Sequence, residues 1–160
     1  MGGGWSTDWV RFHVTTRASP EQVLRALTDF SDRRVQIWNR TLDPKTFEVR
    51  GLGDSWAVAR ESTPGSPFWV VARYDWSDPT VVRWTEEESS YGGHGSGSVR
   101  IAPAADGGSR LQVEWSSNDP RRTRDRIMLF LLHHSPMNRV ISRLWTSTLN
   151  RYAESDSHSE

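Results

Sequence analysis

From Trp9 to Thr15 apolar and polar residues alternate, with Val10, Phe12 and Val14 set against Arg11 and His13. A period of two puts each set on its own face, which predicts a strand with one buried side. The alternation ends at Ser19-Pro20-Glu21-Gln22, where a side-chain cap, a proline at the first helical position and an acid in the first turn predict a helix start. Val23, Leu24 and Leu27 supply its apolar stripe, Asp29 to Ser31 interrupts it, and a second short helix follows through Val35, Ile37 and Trp38.

Beyond Leu42-Asp43-Pro44 the period of two returns. Thr46 to Arg50 and Ser55 to Glu61 read as a hairpin turning across Gly51 to Asp54, because Gly and Asp suit tight turns. Phe68 to Trp76, Val81 to Glu87, Val99 to Ala102 and Arg110 to Ser117 are further strands, punctuated by Pro64 to Pro67, Asp78-Pro79 and Asp106-Gly107-Gly108. The Gly-rich stretch Tyr91 to Ser98 reads as a flexible connection. Strands joined by short turns, with no helical pattern between them, predict an antiparallel meander.

After Asn118-Asp119-Pro120 the period changes to that of a helix. Met137, Val140, Ile141, Leu144, Trp145, Thr148 and Tyr152 fall on one face, so the helix must lie against an apolar surface. Pro136 predicts a kink or a division from an earlier segment around Ile127 to Leu132. Residues 1–8 and the polar run 154–160 are expected to be flexible, leaving 9–153 as a single domain.

This order of elements resembles the START-like superfamily, also called SRPBCC, which includes pollen-allergen proteins, lipid-transfer domains and polyketide cyclases. The segment from Val14 to Asp29, with its Ala18-Ser19-Pro20-Glu21-Gln22-Val23 start, and the turn Gly51-Leu52-Gly53-Asp54-Ser55-Trp56 carry the resemblance. It implies an α+β helix-grip fold: a curved antiparallel sheet of about seven strands around a long C-terminal helix, with two short helices after strand one. It also implies a cavity between sheet and helix. It implies no shared catalytic set, because members of one fold host different chemistries.

Composition sharpens this picture. The 160 residues include 9 Trp, although only 35% are hydrophobic, so apolar area is concentrated in large rings. Lys+Arg and Asp+Glu are equal at 20 each, which removes the positive field expected of a nucleic-acid binder. With 0 Cys there is no disulfide framework or thiolate metal site. No run approaches the roughly 18 apolar residues of a membrane span, and no signal peptide is evident. A cytoplasmic protein is expected, acting as a monomer or weak homodimer, and Lys45 as the lone lysine suits a GC-rich bacterial genome.

Placing the apolar parity of each strand inward gives a lining with three ionisable members, Arg60, Tyr74 and Glu86. These are the candidate catalytic residues, since a charge on an apolar face is costly unless it is paired or used. The remaining candidate ligand contacts are Phe12, Trp56, Val58, Trp84 and Trp115 from the strands, and Met137, Ile141, Trp145 and Thr148 from the long helix. His94 is read as solvated. His133 and His134 point about 100° apart on a helix and do not make a zinc pair, so neither metal nor cofactor is expected. Gly92 to Gly97 lacks the context of a phosphate loop, and the basic run Arg121 to Arg126 reads as a solvated helix start.

The expected function is binding of a small hydrophobic metabolite, aromatic or lipid-like, in an internal cavity between sheet and C-terminal helix. One alternative is a polyketide cyclase or aromatase-like enzyme using polar pocket residues. That reading requires at least two titratable groups converging within hydrogen-bond reach inside the pocket. A second alternative is a protein-interaction module.

Overall fold

The computed structural model of the chain describes residues 9–66, 68–90, 92, 94–118 and 137–158. Residues 1–8, the basic run 121–126, the segment 127–132, His133, His134 and Pro136 lie outside them. The strands are β1 (Trp9–Thr16), β2 (Glu48–Leu52), β3 (Trp56–Ser62), β4 (Trp69–Asp75), β5 (Val81–Ser89), β6 (His94–Pro103) and β7 (Ser109–Asn118). They form one sheet in the order β1-β7-β6-β5-β4-β3-β2, antiparallel throughout.

Helices α1 (Pro20–Thr28) and α2 (Arg34–Ile37) connect the two edge strands, and α3 (Met137–His158) lies across the inward face, chiefly over β1. Ser19 and Gln22 cap α1 reciprocally: the Gln22 amide donates to Ser19 Oγ at 3.2 Å, and the Ser19 amide donates to Gln22 Oε1 at 3.0 Å, which satisfies two otherwise unpaired donors. The main core joins Val10, Phe12, Val14, Val99, Leu111 and Val113 of the sheet to Val23 and Ala26 of α1 and Leu149 and Ala153 of α3. Each large side chain among them stabilises the fold by about 1.5–3 kcal/mol through burial.

The helix-grip α+β architecture is therefore as expected, with four local departures. In β3 the buried set is Ala57, Ala59 and Glu61, so Trp56, Val58 and Arg60 point outward. Trp56 lies over the glycine turn, where an added Cβ at Gly53 would come within 2.0 Å of its Nε1, and Arg73 stacks on its ring at 4.7 Å. The glycines leave room for the indole outside, and the small alanines leave room for other rings inside.

The second departure is the glycine-rich segment. His94 onward is strand, with Gly95 and Gly97 paired to Ser117 and Trp115 of β7; Tyr91 and Gly93 lie outside the described residues. Third, α3 continues through residues 154–158, where a flexible tail is expected. Glu154 accepts from Arg17 at 2.7 Å, while Asp156 accepts from Gln22 at 3.0 Å and Arg25 at 2.8 Å, so side-chain bonds dock this turn against α1. Fourth, the stripe of α3 runs through Ile141, Trp145, Leu149 and Ala153, and Val140 is 46% exposed.

Candidate functional site

Directly opposed residues in an antiparallel sheet share a face. The registers Ala57↔Tyr74, Tyr74↔Trp84, Trp84↔Gly97 and Gly97↔Trp115 therefore draw one inward row across five strands. Its neighbours come from the helical connection. Phe30, just after α1, stacks on Trp76 with centroids 5.8 Å apart and touches Tyr74 at 5.0 Å, and Tyr74 in turn lies 6.1 Å from Trp84. On the other side of Gly97, Trp115 meets Phe12 at 5.4 Å, Phe12 meets Trp145 of α3 at 5.9 Å, and Trp145 meets Trp38 at 5.0 Å. Two runs of rings thus flank Gly97. Trp84, Trp115, Ile141 and Trp145 are only partly buried, so some of this apolar surface stays accessible.

Gly97 is what allows the row to close up. A Cβ there would lie 2.2 Å from the Trp84 ring and 2.7 Å from the Glu114 carbonyl oxygen. One pair further along, Glu86 opposes Ala72, and a Cβ at Gly95 would lie 2.8 Å from its Oε2. The two glycines make room for an indole and a carboxylate.

At the β3 end of the row sits a buried polar cluster. Arg34 of α2 and Glu61 of β3 are 6% and 5% exposed, values that for charged side chains require compensation. Arg34 Nε donates to Glu61 Oε2 at 2.8 Å and Arg34 Nη1 donates to the Leu27 carbonyl at 2.8 Å. The guanidinium lies 4.0 Å from the Phe30 centroid, a favourable cation–π distance. Tyr74 donates its hydroxyl to the other carboxylate oxygen, Glu61 Oε1. Both oxygens of Glu61 are thereby engaged, one by a cation and one by a phenol.

Burial, then the charge of Glu61, pushes the Tyr74 pKa well above its ordinary value of 10.0, with Arg34 opposing. Burial alone would lower the Arg34 pKa, but Glu61 and Tyr74 outweigh it and the pKa is raised. At neutral pH the phenol keeps its proton and spends it on Glu61. Its oxygen also accepts from Arg34, which leaves one lone pair that can accept a hydrogen bond from a ligand hydroxyl.

Of the three candidate catalytic residues, Tyr74 and Glu86 face inward. Arg60 is on the other face, donating to the Thr46 carbonyl at 3.0 Å with Glu48 at 3.7 Å. Its place beside Tyr74 is taken by Arg34 and Glu61, which hydropathy did not reveal. Phe12, Trp84, Trp115, Ile141 and Trp145 share the inward core, whereas Trp56 and Val58 do not. The Met137 side chain lies outside the described set. Thr148 is 2% exposed, and its hydroxyl has no hydrogen-bond partner among the described residues. It borders a cleft of ≈ 350 Å³ between α1, α2 and α3, with Asp29, Ile37, Tyr152 and Asp156. No tryptophan of the inward row lines that cleft.

A curved antiparallel sheet gripping a C-terminal helix, with a ring-lined inward face and a buried polar end, defines a helix-grip protein. The chain belongs to the family described as polyketide cyclase / dehydrase and lipid transport, which it matches over residues 10–128. Among solved structures it is similar to a protein of Thermus thermophilus, at 17% identity and a TM-score of 0.70 over 93% of this chain and 99% of that one. The ZhuI aromatase/cyclase of Streptomyces sp. R1128 matches at 19% identity and a TM-score of 0.68, over 91% and 93% of the two chains. Norcoclaurine synthase of Thalictrum flavum matches at 10% identity and a TM-score of 0.65, over 91% and 85%. At these identities the likeness is one of fold. No curated protein sequence matches the chain. Among the described residues no helix is long and apolar enough to cross a membrane.

Proposed function

We propose that the protein binds a small hydrophobic metabolite containing fused or linked rings between the inward face of the sheet and α3, with Tyr74 as its polar anchor. The observation that carries this reading is the row of rings from Trp76 through Phe30, Tyr74 and Trp84 to Trp115, closed up by Gly97 and partly accessible. Flat faces of this kind favour offset or edge contacts with a planar ligand. Phe12, Ile141 and Trp145 complete the proposed lining, and Glu86 supplies a carboxylate beside it. Titration of intrinsic tryptophan fluorescence with a polycyclic phenol, and in parallel with a fatty acid of similar carbon number, tests the reading. Tighter binding of the phenol, weakened about tenfold in Trp84→Ala and in Trp115→Ala, supports it; each such loss corresponds to about 1.4 kcal/mol. Absence of binding, or an affinity that neither substitution changes from that of the unsubstituted protein, overturns it.

A catalytic reading of the polyketide cyclase type is favoured by one observation, the direct contact of two titratable groups, Tyr74 and Glu61. In that role Glu61 would accept the proton and Tyr74 would fix the substrate oxygen. Loss of turnover in Glu61→Gln with ligand affinity retained would support catalysis. Loss of both together points to a structural role for the cluster.

A further inference from the structure

On the flank of α3 next to β1 an open cleft of ≈ 500 Å³ gathers Arg17, Arg143, Ser147, Asn150, Arg151 and Glu154. From Arg143 the α3 members follow at four, seven, eight and eleven residues, which puts them on one side of a helix. Their hydrogen bonds leave donors in excess. Asn150 Oδ1 accepts from Thr16 Oγ1 at 2.7 Å and from the Arg17 amide at 2.9 Å, so the carbamoyl oxygen is fixed and the amide NH2 remains to donate. Glu154, the carboxylate of the cleft, accepts from Arg17 at 2.7 Å. Arg151 makes one long contact, 3.4 Å to Asn39. Arg143 has neither hydrogen bond nor ion pair among the described residues.

Three guanidiniums against one engaged carboxylate leave a local positive excess on a chain whose formal net charge is +0. Arginine forks, a hydroxyl and an amide NH2 match the three terminal oxygens of a phosphate. A cleft of this size also has room for an organic portion next to the phosphate. We propose that this cleft binds the phosphate monoester group of a small organic molecule or of a lipid headgroup. The proposal is independent of the ring-lined inward face.

Calorimetric titration with glycerol 3-phosphate, and sedimentation with vesicles containing phosphatidic acid against vesicles of equal charge containing phosphatidylglycerol, test it. Arg143 and Arg151 are exposed, so Gln variants of either are expected to keep the fold, checked by circular dichroism. The expected result is saturable binding of a monoester, weakened tenfold or more in Arg143→Gln and in Arg151→Gln. Arg110→Gln, on the outer face of β7 opposite Thr15, is expected to leave it unchanged. Binding should also weaken below about pH 6, as the monoester loses its second charge. Saturable binding of glycerol 3-phosphate assigns a soluble ligand; retention on phosphatidic acid vesicles alone assigns a headgroup. Three results overturn the proposal: no monoester binding from either source, equal retention on phosphatidylglycerol vesicles, or an equal loss in Arg110→Gln.

Discussion

Gly97 pairs with Trp84 on one side and Trp115 on the other, and the space a methyl group would need at position 97 is occupied by the Trp84 ring at 2.2 Å. The backbone oxygen of Glu114 blocks the same space at 2.7 Å, so relief requires the indole to move. Gly97→Ala is expected to destabilise the fold by about 1–3 kcal/mol through overpacking. It should also shift the tryptophan emission spectrum. Chemical denaturation followed by fluorescence measures both; an unchanged midpoint and spectrum would show that Trp84 is not held across the glycine.

Breaking the Arg34–Glu61 pair one partner at a time leaves a buried charge unmatched. Glu61→Gln and Arg34→Met are each expected to cost about 3–5 kcal/mol. The double variant should cost clearly less than the sum, since the second change removes the stranded group. A double-mutant cycle in urea checks this, and strict additivity would contradict the coupling.

Tyr74 gives a pH signature. Its pKa in the folded chain is raised well above 10.0, so its contribution to stability is fully present below about pH 10, the unfolded value, and is lost as the pH climbs toward the folded value. Absorbance at 295 nm should show one of the 3 tyrosines ionising only as near-ultraviolet circular dichroism collapses. Tyr74→Phe should abolish that late step. A late step that survives the substitution would assign it to another tyrosine.

Thr148 carries a buried hydroxyl with no hydrogen-bond partner among the described residues. Replacing it by the similarly shaped valine removes the desolvation cost of that group. Thr148→Val is thus expected to raise the unfolding free energy by about 1 kcal/mol, read from denaturation midpoints at constant m-value. A loss of stability instead would mean that the hydroxyl has a hydrogen-bond partner in the folded protein.

Most of the sheet was legible because alternation is unambiguous where large residues face one way. Val10, Phe12 and Val14, like Leu111, Val113 and Trp115, announce their own side. In β3 the rule misled: Trp56 and Val58 outweigh Ala57 and Ala59 in apolar side-chain area, yet the alanines are the buried set. What reverses the strand lies elsewhere in the chain. Glycines at 51 and 53 shelter Trp56 outside, and Arg34 waits inside for Glu61, 27 residues away in sequence. No local window contains both. The glycines at 95 and 97 read as a loop for a related reason: their lack of side chains serves Glu86 and Trp84 on the next strand. A buried arginine on a four-residue helix has no signature in the sequence, although an ionisable residue at an inward β3 position would have pointed to one once the parity was known.

The strand order sets a timetable. Phe12 of β1 finds its sheet partner in Val113 of β7, so the first strand of the chain has nowhere to pair until almost the whole domain is available. The six other strands can assemble as successive hairpins, each closing a short loop, whereas seating β1 closes a loop from residue 12 to residue 113. Contacts of such long sequence separation slow folding. Docking β1 is therefore the step at which an incomplete chain leaves Val10, Phe12 and Val14 uncovered and most open to aggregation.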